Sequence, residues 1–434
     1  MMMEHVVRGL IGIMVLLGVC VLLSNHRRDI NWRLVGGGIV LQILLAVFIL
    51  ATPFGGFVEW VSSGFVKLLG FSDVGAEFMF GTLIDASIYG FAFKVLPTIL
   101  FVAALTSLLY YLGVLQWIVF GFAWVMKRLM RLSGAESLAA AANVFVGQTE
   151  APLVVRPYIN RMTSSELMAL MTGGMATIAG SVFGLYVVTL GGGEVETQVA
   201  IARQLLTASM MNAPAALLVA KILVPEKEEI REDLFVPKEK AGSNALDALA
   251  KGTTEGLKLA LNVAAMLIVF VAVIAMFNAI FSWFGGLGKG EDGGYLDDWV
   301  HSASGGVFPG LSLEALLGFL FAPLAIAIGA ESGDILQLGQ LLGTRMVSNE
   351  FVAYLQLGEI NDAGGLGPKT MFLATFALCG FANFSSIGIQ IGGIGALAPE
   401  RRGDLAALGF KAMVGGTVAS LLTASIAGMF FGMS

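Results

Sequence analysis

Charged residues are scarce in this sequence. Asp, Glu, Lys and Arg make up only 13% of the 434 residues, hydrophobic residues make up 57%, and the mean hydropathy is +0.84. Soluble domains carry roughly 25% charged residues. The composition therefore excludes a soluble enzyme and indicates a membrane protein.

Histidine and cysteine are also rare. The three histidines, His5, His26 and His301, lie outside the long hydrophobic stretches, which leaves no evident donor for a zinc site or a Ser-His pair at membrane depth. Cys20 and Cys379 lie in apolar stretches, so we expect no disulfide framework. No block of basic residues indicates binding to nucleic acid.

Glycine, in contrast, is abundant, with 56 residues, nearly twice the usual share of about 7%. Transmembrane helices tolerate glycine because small residues let helix backbones approach closely. A membrane-spanning helix needs about 20 mostly apolar residues. We predict eight spans by that criterion, at 7–24, 35–52, 92–113, 165–190, 200–223, 257–284, 368–395 and 404–430.

Three further apolar stretches do not fit a simple crossing. Residues 54–70 and 115–131 are amphipathic and carry Trp60 and Trp117, and tryptophan favours the membrane interface. Residues 313–329 form another apolar helix with a proline inside it. We expect these three segments to accompany the spans without adding to their number.

The distribution of basic residues predicts the orientation. With the amino terminus outside, most of the 25 Lys and Arg residues fall in inner loops, as the positive-inside rule requires. Both termini then face outward, the polar run 225–244 is a cytoplasmic linker, and the Gly-rich, acidic run 285–312 is an external loop. We therefore expect a multi-pass protein of the plasma (inner) membrane.

Two segments are too polar at their centres to cross the bilayer. Residues 134–161 contain GQTEAP from Gly147, and basic residues flank this segment at both ends. A segment that starts and ends on one side is a re-entrant hairpin, and such backbone survives at membrane depth only when protein buries it or it lines a cavity. Residues 331–357, with SNEF from Ser348, predict a second hairpin.

The hairpins belong to a repeated unit. Each is followed by a span broken by small and polar residues, MATIAGS from Met175 and GFANFSS from Gly380, and then by one more span. The units, roughly 115–223 and 313–430, have opposite orientations because three spans separate the hairpins. Inverted repeats are typical of secondary transporters, whose sites lie where discontinuous helices meet. We predict an all-α polytopic membrane protein with eight transmembrane helices and two re-entrant hairpins.

The hairpin tips carry the candidate substrate residues. Glu150 and Glu350 each stand at one tip, and ionisable residues within a membrane are usually functional, although each could merely cap a helix or pair with a basic residue. We expect Arg345, the nearest cation, to face outward at a hairpin flank. A neutral solute rich in hydroxyl and amide groups suits the remaining polar side chains, which are Gln148, Thr149, Asn383, Ser385 and Ser386. Phe381 and Phe384 offer a flat surface for a ring, or they simply pack.

A coupling cation has candidate ligands in the first repeat. Asn143 and Thr177 supply uncharged oxygens, and broken helices expose carbonyls such as those of Val146, Thr177 and Ile178. The alternative is that these polar groups only bond within the helix bundle.

At these residues the sequence closely resembles the concentrative nucleoside transporters, membrane proteins that couple nucleoside uptake to sodium or protons. The resemblance covers nearly the whole chain. It is carried by ESLAAAANVFVGQTEAPLVVRPYI from Glu136, MTGGMATIAGS from Met171, PAALLVAKILVPE from Pro214, LALNVAAMLI from Leu259, SNEFVAYL from Ser348 and ALCGFANFSSIGIQIGGIGALAPERR from Ala377.

The resemblance implies a homotrimer in which a scaffold holds a transport domain that moves like an elevator. Residues 1–114 then supply N-terminal scaffold spans, and 115–224 the first repeat of the transport domain. Residues 225–312 supply the linker, a long scaffold span and the external loop, and 313–434 the second repeat. No enzymatic activity is expected.

The resemblance also implies residue roles. Gln148, Thr149 and Glu150 contact the nucleobase, and Glu350, Asn383 and Ser386 hold the ribose. Val182 and Phe381 border the nucleoside. The implied sodium ligands are Asn143, Val146, Thr177 and Ile178.

We therefore predict a sodium-coupled symporter that imports nucleosides such as uridine by alternating access. The intact Asn143 and GQTEAP favour sodium over protons, since proton-coupled relatives alter the first-hairpin motif. Proton coupling stays open as the alternative, and a channel or a membrane-embedded enzyme is more remote.

Overall fold

The computed structural model describes residues 2–84, 91–192, 194–228, 242–287 and 294–432, and within these ranges the chain is helical with no β-strand. The first four helices are α1 (Met2–Leu23), α2 (Trp32–Leu50), α3 (Phe54–Phe80) and α4 (Leu96–Tyr111). Short turns of 3-10 helix at Arg27–Asp29 and Gly81–Ile84 and a π-helical turn at Phe91–Val95 connect them. Helix α3 runs well past the predicted amphipathic segment 54–70, which has no strong stop signal after it.

The segment predicted as the first repeat contains a helix, a hairpin, a broken helix and a long helix. Its helices are α5 (Val114–Met130), α6 (Gly134–Asn143), α7 (Ala151–Val154), α8 (Arg156–Ile159), α9 (Ser164–Ala176), α10 (Gly180–Gly191) and α11 (Val195–Leu223). Helices α6 and α9 both start with a capping box, in which the helix's third residue and its cap exchange hydrogen bonds.

Between the repeats lie α12 (Ala245–Gly285) and α13 (Tyr295–Ala303). Helix α12 has 41 residues, which corresponds to about 62 Å at 1.5 Å per residue. It begins before the predicted span 257–284, where Asn244 accepts a hydrogen bond from the Asp247 amide. Most of the predicted linker 225–244, and residues 288–293 of the predicted external loop, lie outside the described residues.

The second repeat has the same order of elements. Its helices are α14 (Leu313–Ala327), α15 (Ile335–Val347), α16 (Glu350–Asp362), α17 (Pro368–Ala377), α18 (Phe384–Leu397) and α19 (Arg402–Gly428), with a 3-10 turn at Pro399–Arg401.

In the described part of the chain, seven helical segments are long and apolar enough to cross a membrane. They are Met3–Leu23, Trp32–Leu50, Ala92–Tyr111, Ser164–Gly191, Val195–Leu223, Ala245–Gly285 and Pro399–Gly428. The eighth predicted span, 368–395, is divided between α17 and α18, which have 10 and 14 residues. Each half rises only about 15–21 Å, less than the ~30 Å hydrocarbon core, so both halves are needed for one crossing.

Helices α11 and α19 form the centre of the bundle. The carboxyl-terminal half of each is buried on all sides, and they pack against each other and against α9. A Cβ on Gly416 would lie 2.8 Å from the Met175 Cβ, so this glycine allows α19 to approach the end of α9. Helices α1 and α2 pack against α19 and α11, whereas α12 packs mainly against α4.

A buried ion cluster joins the start of the first hairpin to the end of α11. The Lys221 Nζ lies 2.8 Å from a carboxylate oxygen of Glu136 and 3.2 Å from one of Glu226. Ser165, at the start of α9, accepts a third hydrogen bond from Lys221 at 3.0 Å. The cluster therefore holds α6, α9 and α11 together at one end of the first repeat.

Candidate functional site

The first hairpin turns around a short non-helical segment. Helix α6 ends at Asn143, and the chain continues without regular structure until Ala151 starts α7 with Pro152 in its first turn. The Gly147 carbonyl accepts hydrogen bonds from the amides of Glu150 (3.1 Å) and Ala151 (2.9 Å). This tight turn presents Gln148, Thr149 and Glu150 consecutively at the tip.

The second hairpin turns more sharply. Helix α15 ends at Val347, and Asn349 caps α16 by accepting a hydrogen bond from the Val352 amide at 2.9 Å. Glu350 is the first residue of α16 and is buried, with 5% of its surface exposed. A carboxylate at a helix N-terminus is stabilised by the helix dipole, which helps this site to hold a buried charge.

The second half of the second broken span, α18, begins after its cap residue, Asn383. Its side-chain oxygen caps α18 by accepting hydrogen bonds from the Ser386 amide (2.9 Å) and the Ser385 hydroxyl (2.7 Å). Cap residues that satisfy the first amides of a helix are expected where a helix restarts. The break therefore orients the Asn383 side chain, and its amide nitrogen remains available for a second partner.

That second partner is Glu350. The Asn383 Nδ2 donates to one carboxylate oxygen at 3.2 Å, and the Tyr186 hydroxyl donates to the other at 2.8 Å. Tyr186 lies on α10, the second half of the first broken span, and is buried. The carboxylate of the second hairpin is thus held by one donor from each broken span.

Gln148 connects the first hairpin to the same place. Its Nε2 donates to the Ser386 hydroxyl at 3.0 Å, and its Oε1 accepts from the Gln390 Nε2 at 3.1 Å. Gln390 also donates to the Met171 carbonyl at 3.0 Å. Through Asn383 and Ser386, one continuous hydrogen-bonded network joins both hairpin tips and both broken spans.

The other predicted substrate residues surround this network without joining it. Thr149 is exposed, and a Cβ on Gly393 of α18 would lie 3.9 Å from its methyl carbon. Val182 is buried on α10, one turn before Tyr186 and on the same face. Phe381 is half-buried in the second break, and Glu150 is half-buried at the first tip.

Two of the predicted ion ligands, Asn143 and Thr177, lie where the first hairpin contacts the first break. The Gly180 amide donates to the Phe145 carbonyl at 3.1 Å, and the Thr177 hydroxyl donates to the Gly173 carbonyl at 3.0 Å. Asn143 lies beside this break, because a Cβ on Gly173 would be 3.3 Å from its Nδ2. The contact therefore gathers a carboxamide, a hydroxyl and non-helical backbone.

Asn143 is the most informative member of this group. It is fully buried, and neither its Oδ1 nor its Nδ2 has a hydrogen-bond partner. A buried amide left unpaired costs about 1–3 kcal/mol, so the side chain fits a site that supplies a ligand. An uncharged oxygen of this kind is suited to a hard monovalent cation. The described residues contain no His, Cys, Asp and Glu cluster able to hold a metal.

Three positioning residues were missed from the sequence. Tyr186 and Gln390 give no signal of their own, because their partners are distant in the chain. Asn212 on α11 is a third: its Nδ2 donates to the carbonyls of Ala176 (2.7 Å) and Cys379 (2.8 Å), one at each helix break. The breaks also touch directly, since a Cβ on Gly380, whose φ is +152°, would lie 2.6 Å from the Ala176 oxygen.

The expectation for Arg345 was wrong. Its side chain does not face outward but is fully buried, and Nη1 donates to the Ala377 carbonyl and to the Ser420 hydroxyl, the latter at 2.7 Å. The physical reason is the close packing of α15 on α14, where a Cβ on Gly343 would lie 2.6 Å from the Leu317 Cβ. Arg345, two residues later, lies on the opposite side of α15 and so points toward α17 and α19.

Comparisons with known proteins give consistent results. Family models described as "Na+ dependent nucleoside transporter N-terminus", "Nucleoside recognition" and "Na+ dependent nucleoside transporter C-terminus" match residues 11–83, 92–193 and 204–428. An uncharacterized transporter of Haemophilus influenzae is 43% identical over 99% of this chain and 98% of its own. The sodium/nucleoside cotransporter 1 of Rattus norvegicus is 38% identical over 95% of this chain, which spans 63% of the rat protein.

A solved structure is similar over the whole fold. CNTnw in an inward-facing substrate-bound state has 40% sequence identity and a TM-score of 0.87, with 98% of this chain and 99% of that chain covered.

Proposed function

Because this chain belongs to the concentrative nucleoside transporter family and is a transporter, not an enzyme, we propose that it is a sodium-coupled symporter that imports nucleosides such as uridine by alternating access. The observation that carries the proposal is the hydrogen-bonded network from Tyr186 through Glu350 and Asn383 to Gln148. It places a carboxylate, two amides and hydroxyls at the meeting point of both hairpins and both breaks.

The chemistry of this network fits the two parts of a nucleoside. Glu350 accepts hydrogen bonds, as the vicinal hydroxyls of ribose require, with Asn383 and Ser386 beside it. Gln148 offers both a donor and an acceptor, which is what an amide-bearing base needs, and Thr149 and Glu150 follow it at the tip. Val182 and Phe381 provide apolar contact for the base and ribose. A bound nucleoside exchanges bonds among these side chains for bonds to itself.

Sodium is the transported ion that fits the first repeat best. The carboxamide of Asn143 has no protein partner, and Thr177, with the carbonyls of Val146 and Ile178, completes the proposed ligand set. A bound ion would join the hairpin to the break and so order the tip that carries Gln148. By linkage, the nucleoside then strengthens ion binding by the same factor.

The free energy released by one sodium ion entering the cell is sufficient to concentrate a nucleoside inside it. A membrane potential of about 100 mV contributes about 2.3 kcal/mol per charge, and a roughly tenfold sodium gradient contributes about 1.4 kcal/mol. One sodium ion per nucleoside therefore supports accumulation on the order of 500-fold.

We further propose that the repeats at 115–224 and 313–434 move as a transport domain against a scaffold within a homotrimer. We assign the scaffold spans to residues 1–114 and 225–312. The assignment is best supported for α4 and α12, because these two helices pack mainly on each other. Much of α12 carries exposed apolar side chains, such as Ile268 and Trp283, which suit lipid or another protomer. The proposed location is the plasma (inner) membrane, with both termini outside.

The proposal is tested in proteoliposomes. We expect labelled uridine to accumulate under an inward sodium gradient at uniform pH, and not under an inward proton gradient without sodium. Protein-free liposomes and the Glu350→Gln variant serve as controls. Uptake driven only by protons would support the nucleoside as substrate but show that the coupling ion is the proton and not sodium. No uridine uptake under either gradient would contradict the proposed solute.

A further inference from the structure

Arg345 is a buried charge in the second repeat for which the proposed transport cycle has assigned no role. It lies in the last turn of α15, within the hairpin, and no part of its surface is exposed. Nη1 donates to the Ala377 carbonyl and the Ser420 hydroxyl, while Nε and Nη2 have no hydrogen-bond partner. None of the ion pairs between described residues includes it.

An arginine buried in this way is costly. Burial removes the guanidinium from water, and no carboxylate of a described residue lies within ion-pair distance, so local dipoles and the more distant Glu350 carboxylate must offset the loss. Ala377 is the last residue of α17, where the helix dipole concentrates negative charge on the terminal carbonyls. The arrangement thus places a fixed positive charge between a hairpin helix and the end of the first half of a broken span.

The first repeat has a different group at the corresponding place. Its hairpin helix, α6, ends at Asn143, which lies beside the last turn of α9 just before the break at Thr177. The order of elements is the same in both repeats. The first repeat presents a buried carboxamide with no partner, and the second presents the Arg345 guanidinium already bonded to the helix end.

We propose that the Arg345 guanidinium is a built-in cation that holds the second hairpin to its broken span, in the role that the transported sodium ion has in the first repeat. The second hairpin, which carries Glu350, is then ordered without an ion, and each protomer needs only one sodium ion to form the nucleoside site. This inference rests on the proposed function at one point, the sodium site at Asn143.

The test separates charge from hydrogen bonding at residue 345. Uridine binding to the purified full-length protein is measured while sodium chloride replaces choline chloride at constant ionic strength. Arg345→Lys keeps the charge, Arg345→Gln keeps a donor and adds a carboxamide oxygen but removes the charge, and Arg161→Gln is the matched control at an exposed arginine. Thermal melting and size-exclusion profiles show whether each variant is folded.

We expect Arg345→Lys and Arg161→Gln to bind uridine within about threefold of the wild type, with a sodium Hill coefficient near one. Arg345→Gln should bind at least tenfold more weakly at the sodium concentration that saturates the wild type. Its affinity should recover at higher sodium, with a Hill coefficient above one, because a second ion then takes the place of the guanidinium.

Other outcomes would overturn the inference. Wild-type affinity in Arg345→Gln would show that the charge is not needed, and equal losses in the Lys and Gln variants with an unchanged Hill coefficient would show a packing role. If Arg345→Gln does not fold, Asn143→Lys decides: a tethered ammonium there should make uridine binding independent of sodium, and retained sodium dependence would refute the idea. Wild-type binding that ignores sodium would instead contradict the proposed function itself.

Discussion

Replacing Glu350 by glutamine is the most direct perturbation of the proposed ribose contact. The carboxylate accepts from Tyr186 at 2.8 Å and from Asn383 at 3.2 Å, and we assign its remaining lone pairs to the ribose hydroxyls. Hydrogen bonds to a charged group contribute about 1.5–3 kcal/mol each. An amide keeps one acceptor oxygen and turns a donor toward groups that are themselves donors.

We expect Glu350→Gln to lose about 3 kcal/mol of nucleoside binding, which is a loss of affinity on the order of 100-fold. Folding should persist, because glutamine has nearly the same shape and removing a buried charge removes its desolvation cost. The assay is uridine binding to the purified protein at saturating sodium. Glu359→Gln is the matched control, since Glu359 lies exposed on the same helix.

A second ligand distinguishes a lost contact from a distorted site. 2′,3′-Dideoxyuridine lacks both ribose hydroxyls, so it should bind the wild type weakly and the Glu350→Gln variant about as weakly. Unchanged uridine affinity in the variant would refute the assignment. An equal loss for both ligands would show that glutamine alters the site without touching the ribose.

Three other perturbations follow from buried polar groups. Asn143→Leu should raise the sodium concentration for half-maximal uridine binding by tenfold or more, and it should not lower the melting temperature because the carboxamide has no protein partner to lose. An unaltered sodium titration would contradict the proposed ion site. Asn212→Ala leaves two carbonyls without their donor, at about 1–3 kcal/mol each, so thermal unfolding in detergent should move to lower temperature, and an unchanged melting curve would show that other groups hold the breaks. Lys221→Met leaves Glu136 buried and unpaired and should destabilise the protein by about 3–5 kcal/mol. Adding Glu136→Gln should restore much of the lost stability, and a double variant no more stable than the single one would contradict this reasoning.

The sequence predicted the features that local physics determines. Polar centres between apolar runs predicted both hairpins, the first also from its flanking basic residues, and small polar interruptions predicted helix breaks where Thr177 and Asn383 lie. The family resemblance supplied the residue roles, and the structure places several of those residues in one network. Their roles in binding stay predictions.

Distant contacts were beyond sequence reasoning. Tyr186 lies in an apolar helix and looks like packing until Glu350, 164 residues away, is placed beside it. Gln390 likewise meets Gln148 only in the folded chain. Arg345 was misplaced because a lone arginine is normally kept in water, and its partners Ala377 and Ser420 lie beside it only in the folded chain.

The position of Asn212 has a mechanical consequence. A single amide group clamps the ends of two half-helices from opposite repeats, and Gly380 lets one strand of backbone lie directly across the other. The crossing therefore fixes the two half-helices to each other and offers no point about which one could rotate. We therefore expect the two crossed spans to stay together during the proposed transport cycle, so that solute release depends on movement of a hairpin tip or of the whole crossed block.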